Sequence, residues 1–141
     1  MTIPVWVLLA FAGWTLLILI TNVGVYRWGR ILTRRSEIGD LQAYNLEGHS
    51  DWYKRSMRAH ANCVENLPVY GAIVLVIVVA GLDAPTLDVL ALVFMGARVI
   101  HSLIHLSFKQ TNIVTSFRFT FFLVQFVCMV WMSIYVALYA T

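Results

Sequence analysis

Three groups of side chains in this sequence have the types and spacing to do chemistry. Arg58, Asn62 and Glu65 stand at i, i+4 and i+7, one face of a helix. Arg98, His101 and His105 stand at i, i+3 and i+7 and share a face in the same way. Arg118 lies alone near the start of the last apolar segment. Glu65 is the natural counter-ion for Arg98, and a buried pair of that kind can serve only to fix helix register. The cations exceed that need. Arg58, Arg98 and Arg118, backed by Arg27 and Arg30, face one carboxylate. Guanidinium forks in excess suit a small, multiply charged anion. His101 and His105 at i, i+4 have a spacing that metal or haem ligation can use. The adjacent arginine disfavours a cation there, so hydrogen bonding is the expected role and no metal site is assigned. His60 lies off the Asn62/Glu65 face and His49 falls in a loop. No protein nucleophile, glycine-rich phosphate loop, serine elbow or zinc-protease motif is present.

These residues must be held by membrane-spanning helices. The chain has 141 residues, 60% hydrophobic and only 12% charged. A soluble domain would carry roughly twice that charge. The expected fold is an all-α integral membrane protein, a four-helix transmembrane bundle forming a single domain over residues 1–141, with helices at about residues 3–28, 51–81, 86–108 and 113–140. The first segment lacks a basic leader and a small-residue cleavage site, so it reads as a span and not as a cleaved signal. Trp6 and Trp28 suit interfacial anchors at its ends, and Thr21 and Asn22 suit interhelical hydrogen bonds. Ser50 or Asp51 is the expected N-cap of the second helix, which Pro68 should kink unless neighbours compensate. A short helical turn is expected around Leu41 to Leu46. From Leu67 to Leu82 the apolar run covers only about 24 Å, less than a hydrocarbon core of about 30 Å. Glu65 is thereby drawn to the membrane edge, where an ionisable group is a functional-site hypothesis by default.

Charge placement sets the orientation. Seven of the ten basic residues lie between Arg27 and Arg58, and Lys109 and Arg118 flank the later turn on the same side. The positive-inside rule then puts both polar connections in the cytoplasm and both termini on the non-cytoplasmic side. The polar groups of helices two, three and four converge in the cytoplasmic half. No basic patch lies outside the membrane-flanking segments, which excludes a nucleic-acid partner. Cys63 and Cys128 form no disulfide or zinc pattern and read as small packing residues.

The stretch Arg58-Ala59-His60-x-Asn62-x-x-Glu65-Asn66-x-Pro68 resembles the signature of the membrane-associated proteins in eicosanoid and glutathione metabolism. Arg98-x-x-His101 is similar to that family's second motif, and the likeness extends over nearly the whole chain. The resemblance implies a homotrimer with glutathione bound between subunits near the cytoplasmic side. It also implies conjugation or peroxidase chemistry on a lipophilic electrophile. Asn62, Glu65, Arg98 and His101 are then glutathione ligands, with Arg58 and His105 beside them and Arg27 reaching in from a neighbouring subunit. Arg118 is the counterpart of the family's thiolate-stabilising arginine, the catalytic residue. An alternative register makes Thr115 that counterpart and leaves no such arginine. Some members carry serine and tyrosine after the arginine, and Phe119 and Phe122 stand at those offsets here. His105 replaces a helix-three tyrosine. A non-catalytic lipophile-binding relative and a small transport or structural subunit are the competing readings.

Overall fold

The structure, a computed structural model, describes residues 1–41 and 47–140. Four long helices account for nearly all of it, and the described residues include no strand. We label them α1 (Ile3–Leu32), α2 (Asp51–Val79), α3 (Pro85–Ser107) and α4 (Asn112–Tyr139). All four are long and apolar enough to cross a membrane. The shortest, α3, has 23 residues and rises about 34 Å, enough for a hydrocarbon core of about 30 Å.

Local sequence explains the ends. Ser50 caps α2 by accepting from the Tyr53 amide at 3.2 Å, and Thr111 caps α4 by accepting from Val114 N at 3.2 Å. Pro4 and Pro85 occupy the first turns of α1 and α3, where no amide donor is required. Gly81 takes a left-handed φ of 64° in the tight turn from α2 to α3. α2 continues through Pro68 as one helix.

Helix α1 is longer than the expected 3–28. It contains a π-helical stretch, Leu19–Gly24, before resuming as α-helix over Val25–Leu32. Gly24 permits the wider turn, because a Cβ there would stand 3.1 Å from the Leu19 carbonyl oxygen. Each residue inserted by such a turn rotates the rest of the helix by about 100°. Tyr26 thereby stacks on Tyr53 of α2, rings 4.2 Å apart. Among the described residues Thr21 and Asn22 make no hydrogen bond to another helix. Thr21 Oγ1 donates to the Leu17 carbonyl at 2.6 Å and Asn22 Nδ2 to Thr21 Oγ1 at 3.2 Å, both within α1. After α1, a 3-10 turn spans Ile38–Leu41. The rest of the turn expected up to Leu46 lies outside the described residues.

The helices pack through an apolar core. Phe11 of α1, Tyr70 of α2 and Phe94 of α3 are fully buried. Tyr70 and Phe94 stack at 4.3 Å, and Phe11 meets Phe94 edge-on at 5.4 Å. Tyr70 OH donates to the Pro4 carbonyl at 3.3 Å, which satisfies the one polar atom these three rings bury. Cys63 and Cys128 are free and buried within this core, as packing residues should be.

Candidate functional site

The polar groups gather at the end of the bundle where α1 ends, α2 begins and α3 turns into α4. A cavity of about 440 Å³ opens there, within the usual range for small-molecule sites. Helix α2 contributes Arg58, Ala61, Asn62 and Glu65 to its wall. These residues meet on one side because three- and four-residue steps return to the same helix face. His105 comes from the last turn of α3, Gln110 from the connection to α4, and Arg118 from the second turn of α4.

The cations in this wall are held by neutral acceptors. Arg118 Nη1 stands 3.0 Å from His105 Nδ1. A guanidinium can only donate, so Nδ1 accepts and His105 is the neutral Nε2–H tautomer. Arg118 Nη2 also donates to Thr115 Oγ1 at 3.3 Å, while its buried Nε finds no partner among the described residues. Arg58 Nη1 donates to Gln110 Oε1 at 2.8 Å. Neither contact uses a carboxylate, so both guanidinium charges remain uncompensated toward the cavity. Glu65 is the acidic residue in the wall, and it is exposed.

Of the eight residues singled out in the sequence, the cavity brings together Arg58, Asn62, Glu65, His105 and Arg118. Arg98, His101 and Arg27 do not line it. Arg98 is fully buried and turned into the bundle. It donates to Asn62 Oδ1. It does not pair with Glu65, contrary to expectation. The cause is the rotation of α2, which directs Asn62 toward α3 and leaves Glu65 on the open side. The Arg98 guanidinium instead lies 5.1 Å from the Phe11 ring centroid and 6.0 Å from that of Phe94, over the faces of the core aromatics. Its Nε and Nη2 have no partner among the described residues. Arg98 thus sits behind the cavity and reaches it through Asn62.

His101 is buried and its ring meets that of His105 edge-on at 4.8 Å, so it backs the histidine that holds Arg118. Among the described residues no three His, Cys, Asp or Glu side chains gather as a metal site. Arg27, beyond the π-helical turn, donates to Tyr53 OH at 2.9 Å and contacts Met57 Sδ at 3.7 Å. Gln110 was missed in the sequence, where it looks like one polar residue in a polar turn. No periodicity marks a turn residue, and its role depends on a partner 52 positions away.

The fold and the site together define a class: an integral membrane protein of four helices with an arginine-lined cavity at its polar end. The model of the MAPEG family matches residues 4–138, and the chain belongs to that family. Its general role therefore lies in membrane-associated eicosanoid and glutathione metabolism. No match was found among curated proteins or among solved structures.

Proposed function

We propose that the protein is a membrane-bound glutathione transferase or peroxidase acting on a lipophilic electrophile. The observation that carries this reading is the pairing of Arg58 and Arg118 with neutral acceptors inside one cavity. Two uncompensated guanidinium groups beside one carboxylate complement glutathione, which bears two carboxylates and one ammonium at neutral pH. The unpartnered Nε of Arg118 is a further donor for an anionic atom. The donor set therefore fits the ligand that family membership suggests.

When bound, glutathione supplies the sulfur nucleophile. Every other part of the mechanism belongs to this chain. Arg58 holds a carboxylate, and Glu65 accepts from the ammonium. Asn62, fixed by Arg98, keeps its amide aligned with the cavity wall. Arg118 places positive charge at the sulfur, lowering the thiol's affinity for its proton. His105 holds the Arg118 guanidinium in position, so little reorganisation is required at the moment of reaction. Arg27 acts in a homotrimer, where it reaches the cavity of a neighbouring subunit. The basic end of the bundle faces the cytoplasm and both termini face the opposite side, as the distribution of Lys and Arg supports. The electrophile arrives from the lipid.

The second reading is a non-catalytic relative that binds a lipophile. Phe119 and Phe122, at offsets where some members carry hydroxyl side chains, favour it. Ultraviolet difference absorbance of glutathione with the purified, detergent-solubilised protein separates the two. A thiolate band at neutral pH that falls at least tenfold in Arg118→Ala is the expected result. Glutathione binding with no thiolate band would assign the second reading. No binding would overturn both.

A further inference from the structure

The geometry points to Gln110 as a positioning residue of this cavity, one that holds Arg58 across the opening and then donates to the carboxylate Arg58 receives. This inference rests on the proposed glutathione site and adds to it a residue from the α3–α4 turn.

Arg58 Nη1 and Gln110 Oε1 are 2.8 Å apart. Because arginine has no acceptor, the Gln110 amide must present its oxygen to Arg58. Its Nε2 group, with two donors, is left without a partner among the described residues. Both side chains are exposed and both line the cavity, so the bond lies at its solvent-facing edge. Gln110 belongs to a short connection with few other ties. Thr111 caps α4 through Val114 N, and Phe108 N bonds back to the Ile104 carbonyl. Among the described residues, the bond to Arg58 is the hydrogen bond that joins this turn to α2.

A neutral amide suits this task better than a carboxylate. Arginine has a long, flexible side chain, and fixing it before a ligand arrives removes an ordering cost from binding. A carboxylate at position 110 would fix Arg58 as well but would cancel its charge and repel the ligand. Glutamine fixes the guanidinium without neutralising it. Its free Nε2–H donors then lie beside the cation, where a carboxylate can accept from both residues. Arg118 is held on the same principle, by a neutral nitrogen of His105.

The test uses glutathione binding to the full-length protein in detergent, at low and high ionic strength, for wild type, Gln110→Glu and Gln110→Ala. Gln110→Glu should weaken binding about five- to tenfold at low salt, with the deficit shrinking as salt screens the new charge. Gln110→Ala should weaken it about threefold, with the same salt dependence as wild type. Two outcomes would overturn the inference while leaving the glutathione reading intact: binding by Gln110→Glu within twofold of wild type, or equal losses in both variants at every salt concentration. The second would mean that Gln110 only folds the turn. Failure of the wild type to bind glutathione would overturn both.

Discussion

In the half of the bundle where α1 begins, helices α1, α2 and α3 meet through aromatic rings. Phe11, Tyr70 and Phe94 fill the space among them. At the other end, α2, α3 and α4 meet through arginines, a histidine and amides, and a cavity remains open. The same bundle therefore carries a ring-packed, apolar half and a polar half with an arginine-lined cavity. Arg98 stands at the border. Its guanidinium lies over the rings of one half, and its Nη1 reaches Asn62 in the wall of the other. Lipid supplies no hydrophobic drive between helices, so the ring-packed half is held by shape and dispersion. The polar half gives up that packing to keep charges available. The contrast shows where substitutions should act on stability and where they should act on charge.

The largest effect is expected from breaking the ring-packed half. Phe94→Ala should cost about 3 kcal/mol or more in detergent stability, because the neighbouring rings cannot collapse into the vacated space. Glutathione affinity of the folded fraction should stay within threefold of wild type. A larger change would mean that the two halves are not separable.

The border comes next. Asn62→Leu removes the acceptor that Arg98 uses and should cost about 2–3 kcal/mol, read as a lower thermal midpoint. Adding Arg98→Met should recover most of that loss, because the charge that needed a partner is gone. If the double variant were less stable than Asn62→Leu alone, Arg98 would owe its stability to the rings and not to the amide.

The smallest effect concerns the polar half. His105→Phe should lower the glutathione thiolate signal about threefold by freeing Arg118, whereas His105→Gln, which keeps an acceptor, should lower it less. Neither should move stability by more than about 1.5 kcal/mol, the scale of one lost hydrogen bond. Equal thiolate signals in both variants and the wild type would show that Arg118 needs no support.

Much of this contrast was legible in the sequence, for reasons that also mark its limits. Long apolar runs separated by polar connections fix four helices, because lipid requires every backbone group to be satisfied within a span. Helical periodicity put Arg58, Asn62 and Glu65 on one face, and the cavity wall contains all three. Periodicity does not say which residue of a face points straight at a neighbouring helix. The absolute rotation of α2 decided between Asn62 and Glu65 as the partner of Arg98, and that rotation depends on packing. The π-helical turn at Leu19–Gly24 shifts the phase of the remainder of α1, so the contact of Arg27 with Tyr53 could not be counted from the start of that helix. Gln110 lies in a turn, beyond any period. The resemblance in helices two and three anticipated the family, which the match over residues 4–138 establishes.

The most direct test of the anion site is the affinity of purified, detergent-solubilised protein for glutathione, measured calorimetrically for wild type, Arg58→Ala and Arg118→Ala. Each variant should keep its thermal midpoint and lose at least tenfold in affinity, about 1.4 kcal/mol of binding free energy. Wild-type affinity in both variants, with the fold intact, would contradict the claim that these two guanidinium groups form an anion site.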